Sequence, residues 1–199
     1  MRTEHSLREL PQSYVLIADI DLQKNKKAFL IVNGIALLII AIMVIPMLFI
    51  VPISTLFSFE YGLGRYALRF GVLLVAMILY IILHELTHAA VMRYYGAKKV
   101  QFGFTGLYAY AGSKDDYFDK RSYTVIALAP LVVFGVLFLA LCFFVPGDFF
   151  WVAYLLEIIN VSGAAGDIYV SWKFSKLPQD ILVKDTGASM TVYAKNETV

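Results

Sequence analysis

The sequence has 199 residues, 60% of them apolar and 16% charged, with a net charge of +2 and a mean hydropathy of +0.72. Soluble domains carry about 45–50% apolar and about 25% charged residues, and so short a chain cannot hide this much apolar surface in one water-facing core. The composition therefore argues against a soluble globule and a disordered chain, and the small net charge against a nucleic-acid partner, which needs a basic footprint. The expected solvent is a lipid bilayer.

Residues 1–27 are polar and mixed, and read as a cytoplasmic N-terminal segment in which His5 is solvated and residues 14–22 form a strand or an interfacial stretch. Residues 28–176 read as one four-span membrane domain. Crossing a bilayer takes about 20 apolar residues, and the runs 28–53, 70–92, 123–145 and 149–172 meet that length, the last interrupted by Glu157 and Asp167. Between the second and third runs, Val100, Phe102 and Phe104 alternate with Lys99, Gln101, Gly103 and Thr105, the period of a strand. Thr105-Gly106 can turn that strand into a second one over 107–111, giving a short hairpin. Residues 177–199 are polar enough to read as a solvated cytoplasmic tail. The expected fold class is all-α integral membrane: four transmembrane helices, a small β-hairpin in the cytoplasmic loop and a zincin-like metal site. The single cysteine, Cys142, allows no intrachain disulfide.

Orientation follows the lysines and arginines of the short flanks. Lys24, Lys26 and Lys27 precede the first span; Arg93, Lys98, Lys99, Lys114, Lys120 and Arg121 lie between the second and third; Lys173 and Lys176 follow the fourth. Both termini and the middle loop are thus expected in the cytoplasm, with Arg65 and Arg69 counting against the pattern.

The second span ends in His84-Glu85-Leu86-Thr87-His88, an HExxH sequence. Histidines four apart share one helical face, so both imidazoles can bind one metal, and the neighbouring glutamate can take a proton from a water on it. Hydrolytic zinc needs three protein ligands and one open position. Ionisable groups inside a span are costly and mark function. At 1.5 Å per residue His84 and His88 lie about 21 and 27 Å below Phe70, and Asp167 about 27 Å below Phe149, whereas Glu157 reaches only about 12 Å. Depth favours Asp167 as third ligand, as does its setting in Gly163-Ala164-Ala165-Gly166, where small residues let helices approach. Asp115, Asp116 and Asp119 are rivals from the loop on the same side.

HELTH low in one span, with Asn160 and then Asp167 after a glycine-rich stretch in a later span, resembles the site-2 class of intramembrane metalloproteases. The chain is more closely similar to a zincin peptidase family of small bacterial membrane proteins, a membrane HExxH domain of unknown function. Phe102-Gly103-Phe104 and Ala129-Pro130-Leu131 are shared features. The resemblance implies zinc held by His84, His88 and Asp167, Glu85 as general base, and Asn160 against the substrate backbone or developing oxyanion. It also implies a membrane protein or peptide as substrate. Here the stretch before Asp167 is glycine and alanine, and Ile168 follows it, where site-2 proteases carry a proline-rich stretch ending in Asp-Gly. The competing readings are a transport-related metal site and a closed site that only staples helices.

Overall fold

The computed structural model describes residues 6–21, 24–106, 108–187 and 189–196, so His5 and Leu107 lie outside the described residues. Among the described residues, four segments are long and apolar enough to cross a membrane: helix α1 (Lys26–Ile50), helix α2 (Gly62–Tyr94), helix α3 (Lys120–Phe144) and the stretch Gly147–Ser175. The last is broken, as helix α4 (Phe150–Gly163) ends at Ala164 and helix α5 (Ala165–Ser175) begins at once. Glycines at 163 and 166 flank the break, and glycine is a poor helix former.

The chain divides into two compact units. One contains residues 32–82 and 130–166. Its core is Tyr80, Phe134, Phe138 and Leu156, with a second cluster of Leu56, Trp151 and Val152. Two aromatic side chains there are tied to backbone carbonyls: Trp151 Nε1–H donates to Pro52 at 3.2 Å and the Tyr154 hydroxyl to Met43 at 2.8 Å. Arg65 and Asp148 form a two-pronged ion pair at 2.6 and 3.0 Å. Buried Arg69 donates to the Ser58 carbonyl. Leu37, Leu38, Ile42, Ile45 and Phe49 of α1 and Val132, Val133 and Val136 of α3 are exposed. Soluble monomers do not leave so much contiguous apolar surface bare.

The other unit contains residues 1–31, 83–129 and 167–199, and it corrects the all-α expectation. Beside the hairpin of strands β3 (Gln101–Phe104) and β4 (Ala109–Gly112), it holds a five-stranded antiparallel sheet. Its order is β1-β5-β6-β7-β2, with β1 at Ser6–Leu7, β2 at Tyr14–Ile20, β5 at Tyr117–Asp119, β6 at Leu182–Asp185 and β7 at Met190–Lys195. The segment expected as a solvated tail thus supplies two inner strands. Ile181, Val183 and Val192 are fully buried. Alternation along β7 puts Val192 and Ala194 on the buried face.

Candidate metal centre

Helix α2 carries His84, Glu85 and His88 in its last third, within the sheet-bearing unit. The i,i+4 spacing stacks the two imidazoles along one face, with ring centroids 4.8 Å apart and Nε2 atoms 3.2 Å apart. Asp167 enters from the first turn of α5, where the exposed N–H groups of a helix start favour a carboxylate. Its Oδ2 lies 3.7 Å from His84 Nε2 and its Oδ1 3.9 Å from His88 Nε2. Among the described residues, these three form a group of possible ligands whose donor atoms all fall within 4.8 Å of one another.

The donor set fits zinc. Bonds of about 2.0–2.1 Å in a tetrahedron separate neighbouring ligand atoms by roughly 3.4 Å; the two Nε2 atoms here are 3.2 Å apart, and with one carboxylate oxygen the three donors lie within 4.8 Å. The tautomer fits as well. Nδ1–H of buried His88 donates to the Ile126 carbonyl of α3 at 2.9 Å, which leaves the Nε2 lone pair turned toward His84 and Asp167, as metal-ligating histidines require.

Glu85 sits beside this group, and the backbone N–H of Ala111 on β4 faces its carboxylate. Strand β6 brings Asp185 near the same group. The Tyr123 hydroxyl, on the first turns of α3, donates to Asp185 Oδ2 at 2.6 Å, and Gly187 N–H donates to Asp185 Oδ1 at 2.6 Å. Burial pushes the Asp185 carboxyl above its ordinary range against the pull of those two donors, and His88 and Asp167 are near enough to act on it electrostatically. Ser113 N–H donates to the Asp185 carbonyl at 2.8 Å. Gly112 lies against the Thr186–Gly187 backbone, and Gly187, at φ +84°, has the Tyr110 ring over it. Only glycine offers both that conformation and that closeness.

The aspartates that rivalled Asp167 have other employment. Asp119 caps α3, accepting from Ser122 N–H at 2.9 Å and from its hydroxyl at 2.7 Å. Asp116 is buried and accepts from the Ser113 hydroxyl at 2.5 Å, while Asp115 is exposed. Asn160 and Glu157 lie in the other unit. Asn160 is fully buried, with Oδ1 accepting from the Tyr80 hydroxyl and Nδ2 donating to the Leu131 carbonyl, both at 3.2 Å. Glu157 is buried beside it, and its Oε2 has no partner among the described residues. The Ile126 carbonyl, the Ala111 amide and the Tyr123–Asp185 pair are features that motif reading does not reach, because two are backbone groups and the third joins residues far apart in the chain.

A family model described as "Putative zincin peptidase" matches residues 77–182, more than half of the chain. The chain belongs to this family. The zincin match takes in His84, Glu85, His88, Asn160 and Asp167 and stops short of Asp185. The chain is also 32% identical over 128 residues to an uncharacterized 24.7 kDa protein of Pyrococcus woesei, covering 59% of this chain and 53% of that protein. The match thus spans about half the length of that curated relative. No solved structure matches.

Proposed function

We propose that this zincin is a multi-pass membrane peptidase that uses zinc to hydrolyse peptide bonds in membrane or membrane-proximal proteins. The observation that carries the reading is the meeting of His84, His88 and Asp167 around one point with Glu85 beside it. When bound there, zinc would polarise a peptide carbonyl and acidify a water near neutral pH. Glu85 then takes the proton of the attacking water and returns it to the leaving amine as the C–N bond breaks. The Ala111 N–H faces the Glu85 carboxylate. A site that merely staples helices has four protein ligands, and the group here has three among the described residues.

Strand β4 offers a way to present substrate. Thr105 N–H donates to the Tyr108 carbonyl at 3.0 Å, so alternation along the antiparallel ladder turns the backbones of Ala109 and Ala111 away from β3. That outward edge is the one facing Glu85. An extended peptide adding at Ala109 would lie beside the base, the Ala111 N–H facing Glu85 and the Ser113 N–H being taken by the Asp185 carbonyl. The edge strand read from the sequence, residues 100–104, is its partner on the far side. Asn160, which the resemblance implies as a substrate contact, is buried in the other unit with its side chain bonded to Tyr80 and Leu131.

The sheet supports the expected topology. Strands from before the first span (β1 and β2), between the second and third (β5) and after the last (β6 and β7) are hydrogen-bonded neighbours, so no bilayer can separate them. The flanking lysines favour the cytoplasm as that common side. Arg65 and Arg69, the two dissenters, share Asp148, at 2.6 and 3.6 Å. The test is metal analysis of the purified chain, together with cleavage of candidate membrane substrates by wild type and Glu85→Gln. Zinc in both proteins with cleavage by wild type alone supports the proposal; equal cleavage refutes it.

A further inference from the structure

His88 depends on a backbone carbonyl inside a helix, and such carbonyls are ordinarily taken. In an α-helix the C=O of residue i accepts from the N–H of residue i+4. For Ile126 that residue is Pro130, which lies inside α3 and has no N–H to give. The proline ring also crowds the carbonyl four residues back and tilts it off the helix axis. A carbonyl without a partner is expensive away from water. The Ile126 oxygen meets that need by accepting His88 Nδ1–H at 2.9 Å.

We propose that Pro130 is a positioning residue for the metal centre: by withholding its amide it frees the Ile126 carbonyl to fix the tautomer and ring angle of His88. This rests on the zinc-binding reading above. The cause and the effect lie on different helices: the missing donor is in α3, while the ligand it orients is in α2. The hydrogen bond on the non-ligating nitrogen sets which nitrogen carries the lone pair, and such partners change metal affinity about 10–100-fold.

The arrangement predicts an unusual pair of signs. Proline is a poor residue for a helix interior, so Pro130→Ala restores an amide at position 130 and should leave the metal-free protein as heat-stable as wild type or more so. The same amide competes with His88 for Ile126, so zinc affinity should fall about tenfold or more. A substitution that only disturbed packing would lower both.

The experiment uses the full chain in detergent as wild type, Pro130→Ala, Pro130→Leu and His84→Ala. Zinc affinity is measured by competition with a chelator, the ligand field by cobalt(II) absorption, and metal-free stability by thermal melting. The expected result is weaker zinc binding and an altered cobalt spectrum in both Pro130 variants, with melting temperatures at or above wild type. Agreement between the alanine and leucine variants assigns the loss to the shared amide rather than to side-chain volume. Wild-type affinity in both variants overturns this inference alone. Weaker binding accompanied by a lower melting temperature in both also overturns it, because a damaged helix then explains the loss. A wild type that binds zinc no better than His84→Ala overturns the metalloprotein reading, and this inference with it.

Discussion

Removing the Asp167 carboxylate should cost the site most of its zinc. Structural zinc sites with four protein ligands bind with roughly 10–16 kcal/mol, so one ligand is worth about 3–4 kcal/mol, or between two and three decades in Kd. Asp167 approaches both histidine nitrogens, at 3.7 and 3.9 Å, and its side chain is 26% exposed. Water can therefore replace it in Asp167→Ala, which places the loss at the lower end, about a hundredfold. The histidines remain at 3.2 Å and should retain weak binding. Zinc content after dialysis, and chelator competition on purified protein, read the effect. Asp116→Ala and Glu157→Ala serve as comparisons. The first loses a bond to Ser113, the second a buried carboxyl in the other unit, and both should keep zinc near the wild-type level. Full zinc in Asp167→Ala together with loss in Asp116→Ala would refute the reasoning and move the third ligand to the loop before α3.

Glu85→Gln should bind zinc like wild type and lose hydrolysis by about 10²–10⁴-fold, the usual worth of a general base; stoichiometric zinc with a flat cleavage time course checks it. Gly112→Ala places a methyl group against the Gly187 backbone, 2.8 Å from its Cα, so it should destabilise by about 1–3 kcal/mol and lower the melting temperature. Gly71→Ala, where a Cβ meets nothing within 4 Å, should leave stability unchanged or raise it by up to ~1 kcal/mol. Reporters placed after residue 24, in the 98–115 loop and after Lys176 should all score cytoplasmic, and a reporter from the loop scoring outside would invert the topology.

The centre was legible because its chemistry is local or rests on a simple count. The HExxH spacing sets His84, Glu85 and His88 on neighbouring turns of α2, and residue depth pointed to Asp167, which the structure brings to the two histidines. The four membrane-length segments announce themselves through long apolar runs, of which 28–53 and 123–145 carry no charge at all. The five-stranded sheet was not legible as a sheet. Residues 14–22 read as strand-like, but β1 and β5 are two and three residues long, below any periodic signal. Strand β7 does alternate, yet Lys184, Asp185, Thr191 and Lys195 gave its neighbourhood the polarity of a solvated tail. Pairing partners so remote leave no trace in a single sequence. The break at Ala164 was misread for a related reason: glycine and alanine mark close helix packing and helix ends equally well, and only the backbone tells them apart.

The pairing of β2 with β7 also sets an order of events during biosynthesis. Tyr14 bonds in register with Lys195, and Ile20 with Met190. At a translation rate of about 5–20 residues per second, β2 waits on the order of ten to thirty seconds for its partner to be made. All the spans are synthesised within that interval. A ribosome stalled before β7 would leave both β2 and β6 with an open edge, in the form a protease or a chaperone recognises. The sheet therefore closes late: β2 and β6 gain their shared neighbour β7 only after the four long apolar segments between them have been made.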